Sequence, residues 1–351
     1  MKRVLLLLLL AVVAFVGVAA YRIVSRSGMM RVLESHHTGD CRTVTGAVGA
    51  EDVTIHPEAG VAYLSADDRR ATAAGRPVRG EIYSLDLRSN AALPVPLTRG
   101  SPADFHPHGI SLWRGEDGGE RLFVINHPAA GGHTVEIFDV EPDRLHHVET
   151  VTYPDLSSPN DIVAVGKRRF YATNDRRHRE GFLATVEAYL QLPWASVSYF
   201  DGSRGRIAAD GIAFANGINA SADGGSVYVA ELLGQAVRVY DRDPDSGNLT
   251  LRRTIGLGSS PDNIEVESSG RLSVAAHPKI FDFLAHAGDA AKPAPSQVLR
   301  VDPDSGVVEE VFLDDGTLLS AAATAATAGG TMVLGPIFDA RVLVCTEPGP
   351  R

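Results

Sequence analysis

Five times along this 351-residue chain, a polar residue, then a small or acidic one, then Val or Ile opens a short apolar run. The five are Glu51-Asp52-Val53, His108-Gly109-Ile110, Asn160-Asp161-Ile162, Asn216-Gly217-Ile218 and Asp262-Asn263-Ile264. Their leading positions, 51, 108, 160, 216 and 262, lie 57, 52, 56 and 46 residues apart. A further step lands near Ala322-Ala323-Thr324, where only small residues are kept. Units of roughly fifty residues each have room for four strands, and six of them predict an all-β, six-bladed propeller with a central tunnel. The runs between repeats agree. Arg121–Ile125, Ser226–Ala230 and Gln297–Val301 read as strands bounded by turn residues, and 35 Gly with 20 Pro suit many short turns.

In such a propeller the innermost strand of every blade starts beside the axis. The residues that open equivalent strands therefore converge: Glu51, Asp52, His108, Asn160, Asp161, Asn216, Asp262 and Asn263. An Asn or Asp before a strand ordinarily bonds its own backbone. Several in blade register instead make an oxygen-rich locus. Hard Ca²⁺ takes six to eight such oxygens, whereas zinc favours imidazole and thiolate. His108 belongs to the set, and His127 follows the strand beside it, so two imidazoles can form a proton relay. His106, in Phe105-His106-Pro107-His108, is the rival, and strand parity does not separate the two.

The chain's start differs. Lys2 and Arg3 precede an uncharged run from Val4 to Ala20, the pattern of an export signal or membrane anchor over residues 1–24. Residues 25–40 read as a tether and 41–351 as the propeller domain. Export places the two cysteines, Cys41 and Cys345, in an oxidising compartment, where one disulfide would join first strand to last; two unpaired thiols are the alternative. Residues 178–192 carry Phe182, Val186, Tyr189 and Leu190 on one helical face. Such a helix packs on the blade rim or presents an amphipathic face at the tunnel mouth. The net charge of −10 argues against nucleic acid as partner.

The motifs Gly49-Ala50-Glu51-Asp52, Phe105-His106-Pro107-His108-Gly109-Ile110-Ser111, Asn126-His127-Pro128 and Asn160-Asp161-Ile162-Val163-Ala164-Val165-Gly166 resemble the serum paraoxonase/arylesterase family. So do Thr173-Asn174-Asp175, Phe214-Ala215-Asn216-Gly217-Ile218-Asn219 and Asp262-Asn263-Ile264. The resemblance runs from about Cys41 to Cys345. It implies two calcium ions in the tunnel. The positions matching the catalytic ion's ligands are Glu51, Asn160, Asn216, Asp262 and Asn263; those matching the structural ion's are Asp52, Asp161 and the carbonyl of Ile110. It further implies His108 as general base with His127 as partner, a Cys41–Cys345 disulfide, and a retained N-terminal segment that sits on lipid.

The expected activity is calcium-dependent opening of lactones and cleavage of aryl esters, with phosphotriesters as a promiscuous extension. No Gly-x-Ser-x-Gly elbow supplies a serine nucleophile. The alternatives are a gluconolactonase-like sugar lactonase, a strictosidine-synthase-like condensing enzyme, and a non-catalytic binding propeller stabilised by calcium. Three departures surround the pocket: Ala276 precedes His277 where mammalian relatives place a cysteine, Ser65–Arg70 is unusually charged, and Arg176 follows Asp175.

Overall fold

Alternation along single strands sets the architecture of the computed structural model, which describes residues 2–37, 39–100 and 102–346. In the run from Ser226 to Ala230, Val227 and Val229 pack with Tyr171 and Ile218 on one side. Tyr228 and Ala230 pack with Ile264 and Val274 on the other. A strand whose two faces are both buried needs a sheet before it and a sheet behind it. Repeated six times, that requirement closes a ring. Each of the six apolar clusters is shared between two neighbouring blades, so the core is six inter-blade seams.

Five blades are consecutive antiparallel four-stranded meanders, starting at Ala50, Pro107, Pro159, Ala215 and Ser260. The sixth takes three strands from the end of the described chain, Ala322–Ala328, Thr331–Pro336 and Arg341–Thr346, and its outermost strand, Cys41–Thr45, from near the start. Cys41 lies directly opposite Cys345 in this pairing, and the two form a disulfide across a sequence separation of 304 residues. The six inner strands touch in sequence around the axis, the last returning to the first.

Among the described residues four helices decorate the ring: α1 (Lys2–Arg26), α2 (Arg69–Ala73), α3 (Gly181–Tyr189) and α4 (Ile280–Gly288). The anchor expectation falls partly on Met1 and on the side chains at 2, 11, 12, 15, 16 and 19, which lie outside the described set. Among the described residues no helix is long and apolar enough to cross a membrane. The tether stretch is held to the propeller at several points. Arg26 donates to Gln191 and to the Leu233 carbonyl, Ser27 accepts from the Ile280 amide, and His36–His37 adds a fifth strand to the fifth blade.

Helix α3 is shorter than the stretch 178–192, and its apolar face does not pack on a blade. Phe182 is 80% and Tyr189 62% exposed, whereas the one buried residue of the helix is Glu187. The physical reason is backbone satisfaction. The turn leading into the helix leaves the amides of Arg177 and His178 without a ladder, and the Glu187 carboxylate accepts both, at 2.8 and 3.0 Å.

Candidate active site

Each repeat motif proves to be a β-bulge. The inner strands lose register with their neighbours between Ala50 and Asp52, Pro107 and Ile110, Pro159 and Ile162, Ala215 and Ile218, Pro261 and Ile264, and Ala322 and Thr324. A bulge lifts one or two residues out of the pleat and re-aims their side chains. Here that happens at the same height in all six blades, so the six lifted segments meet at the axis. Crowding there explains the small second residue of two motifs. A Cβ on Gly109 would lie 2.3 Å from Oδ1 and 2.4 Å from Cα of Asp161. One on Gly217 would lie 2.5 Å from the Asp262 carbonyl oxygen.

The structure brings Glu51, Asp52, Asn160, Asp161, Asn216, Asp262 and Asn263 together as buried residues. They divide into two sets by partner. Asp52 accepts from the amides of Val53 at 2.8 Å and Ile110 at 2.7 Å; Asp161 accepts from those of Ile162 and Ile218, both at 2.7 Å. Each of these carboxylates thus ties its own strand to the next blade. In the second set, Oε2 of Glu51 and Oδ1 of Asn160, Asn216 and Asn263 are buried without a hydrogen-bond donor. Orphaned buried acceptors are costly, roughly 1–3 kcal/mol each, and four at one locus call for a cation. Among the described residues, no three side chains drawn from His, Cys, Asp and Glu gather to hold a metal by themselves. The donors are mixed carboxylate and amide oxygens, which fits calcium and not zinc.

The charges interact strongly. Burial pushes Glu51 upward, but the nearby charge of His108, with Arg69 and the Asn263 amide behind it, outweighs burial and holds the group at about 2. Asp52 is pushed up to about 8 by burial and then by the Glu51 charge, against its two amide bonds. Burial and Asp52 drive Asp161 well above the carboxylate range. Burial also raises Asp262, while His277, whose Nε2 lies 2.8 Å from Oδ2, works in the opposite sense. Cations offset such an array.

Above this floor, Nε2 of His108 lies 3.3 Å from Oε2 of Glu51, and its Nδ1 lies 2.9 Å from Nε2 of His127. His106 is turned elsewhere: its Nδ1 is 2.8 Å from Asp67. Both histidines line the same cavity of about 460 Å³. Burial, followed by the charges of His108 and His133, keeps His127 well below its ordinary value.

Comparison with known proteins now has a geometry to stand on. The family model described as Arylesterase matches residues 34–346. The chain belongs to the arylesterase family. Serum paraoxonase/arylesterase 2 of Rattus norvegicus is 34% identical over 98% of this chain and 99% of its own length. Serum paraoxonase/arylesterase 1 of Homo sapiens is 34% identical over 92% of each. Among solved structures, a gluconolactonase from Xanthomonas campestris superposes with a TM-score of 0.54 at 18% identity, covering 90% of this chain and 94% of that one, a likeness of fold.

Three residues of this arylesterase-family site escape the sequence reading. His277 packs its ring on Phe283 of α4, at 4.3 Å, and orients the Asp262 carboxylate. Arg69 donates to the Gly49 carbonyl and reaches Glu51 at 3.5 Å, which gives the charged 65–70 stretch its place: it braces the tunnel mouth. His133 continues the imidazole chain, with Nδ1 2.8 Å from Nδ1 of His127. His277 had a signal, since it ends the strand paired with Ser260; His133, in a Gly-rich loop, had none.

Proposed function

We propose that this protein hydrolyses lactones and aryl esters in a calcium-dependent reaction at the mouth of the propeller tunnel. The observation that carries the reading is the quartet of donor-less buried oxygens on Glu51, Asn160, Asn216 and Asn263, directly below the His108–His127 pair. Glu51, Asn160, Asn216, Asp262 and Asn263 would hold the catalytic ion, and Asp52, Asp161 and the Ile110 carbonyl a structural one. Calcium, when bound, supplies Lewis acidity and charge stabilisation toward an ester carbonyl.

The chain's own residues manage protons and position. With a cation rather than a His108 charge balancing Glu51, a neutral His108 with its proton on Nδ1 would keep the Nε2 lone pair toward the floor, placed to take a proton from water. His127 accepts from Nδ1 and fixes the tautomer. Its depressed basicity keeps it an acceptor at neutral pH. Arg69 and His277 hold the Glu51 and Asp262 carboxylates in place. Pro107, Thr72 and Ala73 supply apolar wall around the polar floor.

Initial rates on γ- and δ-lactones, aryl acetates and a phosphotriester, with calcium and after EDTA, test the proposal. Hydrolysis that disappears with chelation and returns with calcium is expected. Full activity after exhaustive chelation, or no turnover of any lactone or ester with calcium present, would overturn it.

The exposed Phe182 and Tyr189 of α3 lie near the end of α1, tied to it through Arg26 and Gln191. They support an exported protein that rests on a lipid surface through α1 and α3. Co-sedimentation of wild-type protein with liposomes, lost on Phe182→Asp, is the expected outcome; equal sedimentation of both removes the idea.

A further inference from the structure

The cavity above the histidines has a charge pattern that the hydrolytic reaction does not use. Each acid at the mouth is already matched. Asp67 faces His106 at 2.8 Å. Asp175 receives both Nε and Nη2 of Arg176, at 3.1 and 2.9 Å, and the Ser158 hydroxyl. Arg69 is engaged with Gly49 and Glu51. What remains is Arg179, which lines the cavity and makes no hydrogen bond or ion pair with any described residue, and Nε2 of His133, which is buried without a partner.

The histidine chain settles what His133 offers there. For Nε2 of His108 to stay free as a base, its proton sits on Nδ1 and points to Nε2 of His127. His127 then carries its proton on Nδ1, pointing to Nδ1 of His133. With that nitrogen accepting, a neutral His133 carries its own proton on Nε2. On that tautomer the orphan atom is a buried N–H donor of a residue that lines the same cavity as an unpaired guanidinium, within reach of a ligand after a small turn of the ring. Helix α3 starts two residues after Arg179, and its N-cap residue, Glu180, makes no side-chain cap hydrogen bond and does not line the cavity. Burial and then the Arg179 charge hold His133 at about 4, so it donates as a neutral ring. In a chain of net charge −10, one unmatched guanidinium beside a neutral N–H donor over the site is a local departure.

We propose that Arg179 and His133 form a subsite for an anionic substituent. The substrates turned over best would then be lactones or aryl esters that carry a carboxylate remote from the scissile carbonyl. This inference rests on the ester and lactone hydrolase reading and names the substrate class of that site. A carboxylate accepting from a guanidinium and an imidazole N–H makes charge-assisted hydrogen bonds, about twice as strong as neutral ones.

A matched pair tests it: 4-acetoxybenzoate against 4-acetoxybenzamide, equal in shape and differing in charge. The expected kcat/KM for the carboxylate exceeds that for the amide by roughly tenfold or more at low ionic strength. The advantage shrinks as salt rises to about 0.5 M. Arg179→Met brings the ratio close to one, Arg179→Lys keeps part of it, and His133→Phe lowers it to an intermediate value. Calorimetry with 4-hydroxybenzoate and 4-hydroxybenzamide reads the same preference without turnover. A wild-type ratio at or below one, or a ratio unchanged in Arg179→Met, overturns the subsite while leaving the hydrolase intact. If neither ester is cleaved with calcium present, the hydrolase reading itself falls.

Discussion

Gly109→Ala is the sharpest probe of the crowding at the tunnel axis. The added methyl would sit 2.3 Å from Oδ1 and 2.4 Å from Cα of Asp161, and 2.8 Å from the Asn160 carbonyl oxygen. Two of those atoms are backbone of the next blade, so no rotamer change relieves the clash and the inner strands must part. Overpacking of this kind costs about 3 kcal/mol or more when backbone has to move. With an unfolding entropy of about 2.1 cal/mol/K per residue, a propeller of this size would melt about 5 °C lower. The shift also moves Asn160 and Asp161, one from each proposed ligand set. The stabilisation gained on adding calcium, which follows ligand concentration relative to Kd, should shrink with it. Scanning calorimetry of wild type, Gly109→Ala and Gly256→Ala, each with EDTA and with excess calcium, is the assay. Gly256 meets nothing within 4 Å of a new Cβ and is the control. A Gly109→Ala protein that melts with the wild type and gains equally from calcium would refute the convergence of equivalent strands on one site.

Reducing the Cys41–Cys345 bond or replacing both residues with Ser opens a ring of 304 residues; the chain-entropy model gives a ceiling of about 6 kcal/mol, read from the denaturant midpoint. His108→Gln should lower kcat/KM by roughly 10²–10⁴ while the calcium-dependent melting shift remains, which separates proton transfer from metal retention. The metal-free protein should lose stability as pH rises between about 4 and 8. Asp52, raised to about 8 from an ordinary 3.8, binds more protons folded than unfolded across that window, so its contribution is present at low pH and fades as it ionises. Melting temperatures after EDTA at a series of pH values check the sign, and calcium should flatten the slope.

The bulged motifs were readable because a bulge at a fixed height demands a fixed residue pattern: a donor to aim inward, a residue that tolerates the close approach, then Ile or Val re-entering the pleat. Asn160-Asp161-Ile162 and Asn216-Gly217-Ile218 carry that pattern openly. The sixth blade keeps the bulge at Ala323, but its two leading motif positions are alanines, so its motif was faint for a chemical reason. The choice between His106 and His108 was out of reach of strand parity, because the register shift between Pro107 and Ile110 sits between them. Their contacts tell them apart: His106 faces Asp67, and His108 faces Glu51 and His127. Of the two readings open for helix α3, packing on the blade rim is the one that fails: Glu187 was needed inside to satisfy two amides, which left the apolar face outside. His133 and Arg179 sit in turns with no period to reveal them.

The division among the tunnel oxygens bears on how one site can be both rigid and reactive. Asp52 and Asp161 spend a lone pair of each oxygen on amides, and one amide of each pair belongs to the adjacent blade. Moving either carboxylate would break inter-blade hydrogen bonds, so a cation held there is part of the scaffold. Glu51, Asn160, Asn216 and Asn263 lack that commitment at the atoms left without donors. Their oxygens are fixed by packing at the bulges and remain free to satisfy a cation that must also accept an outside oxygen. The repeat thus places two chemically different residues side by side, as in Asn160-Asp161, one with an unpartnered oxygen and the other bonded to the neighbouring strand. A bulge achieves this because it lifts consecutive residues together, whereas a regular strand would send them to opposite faces.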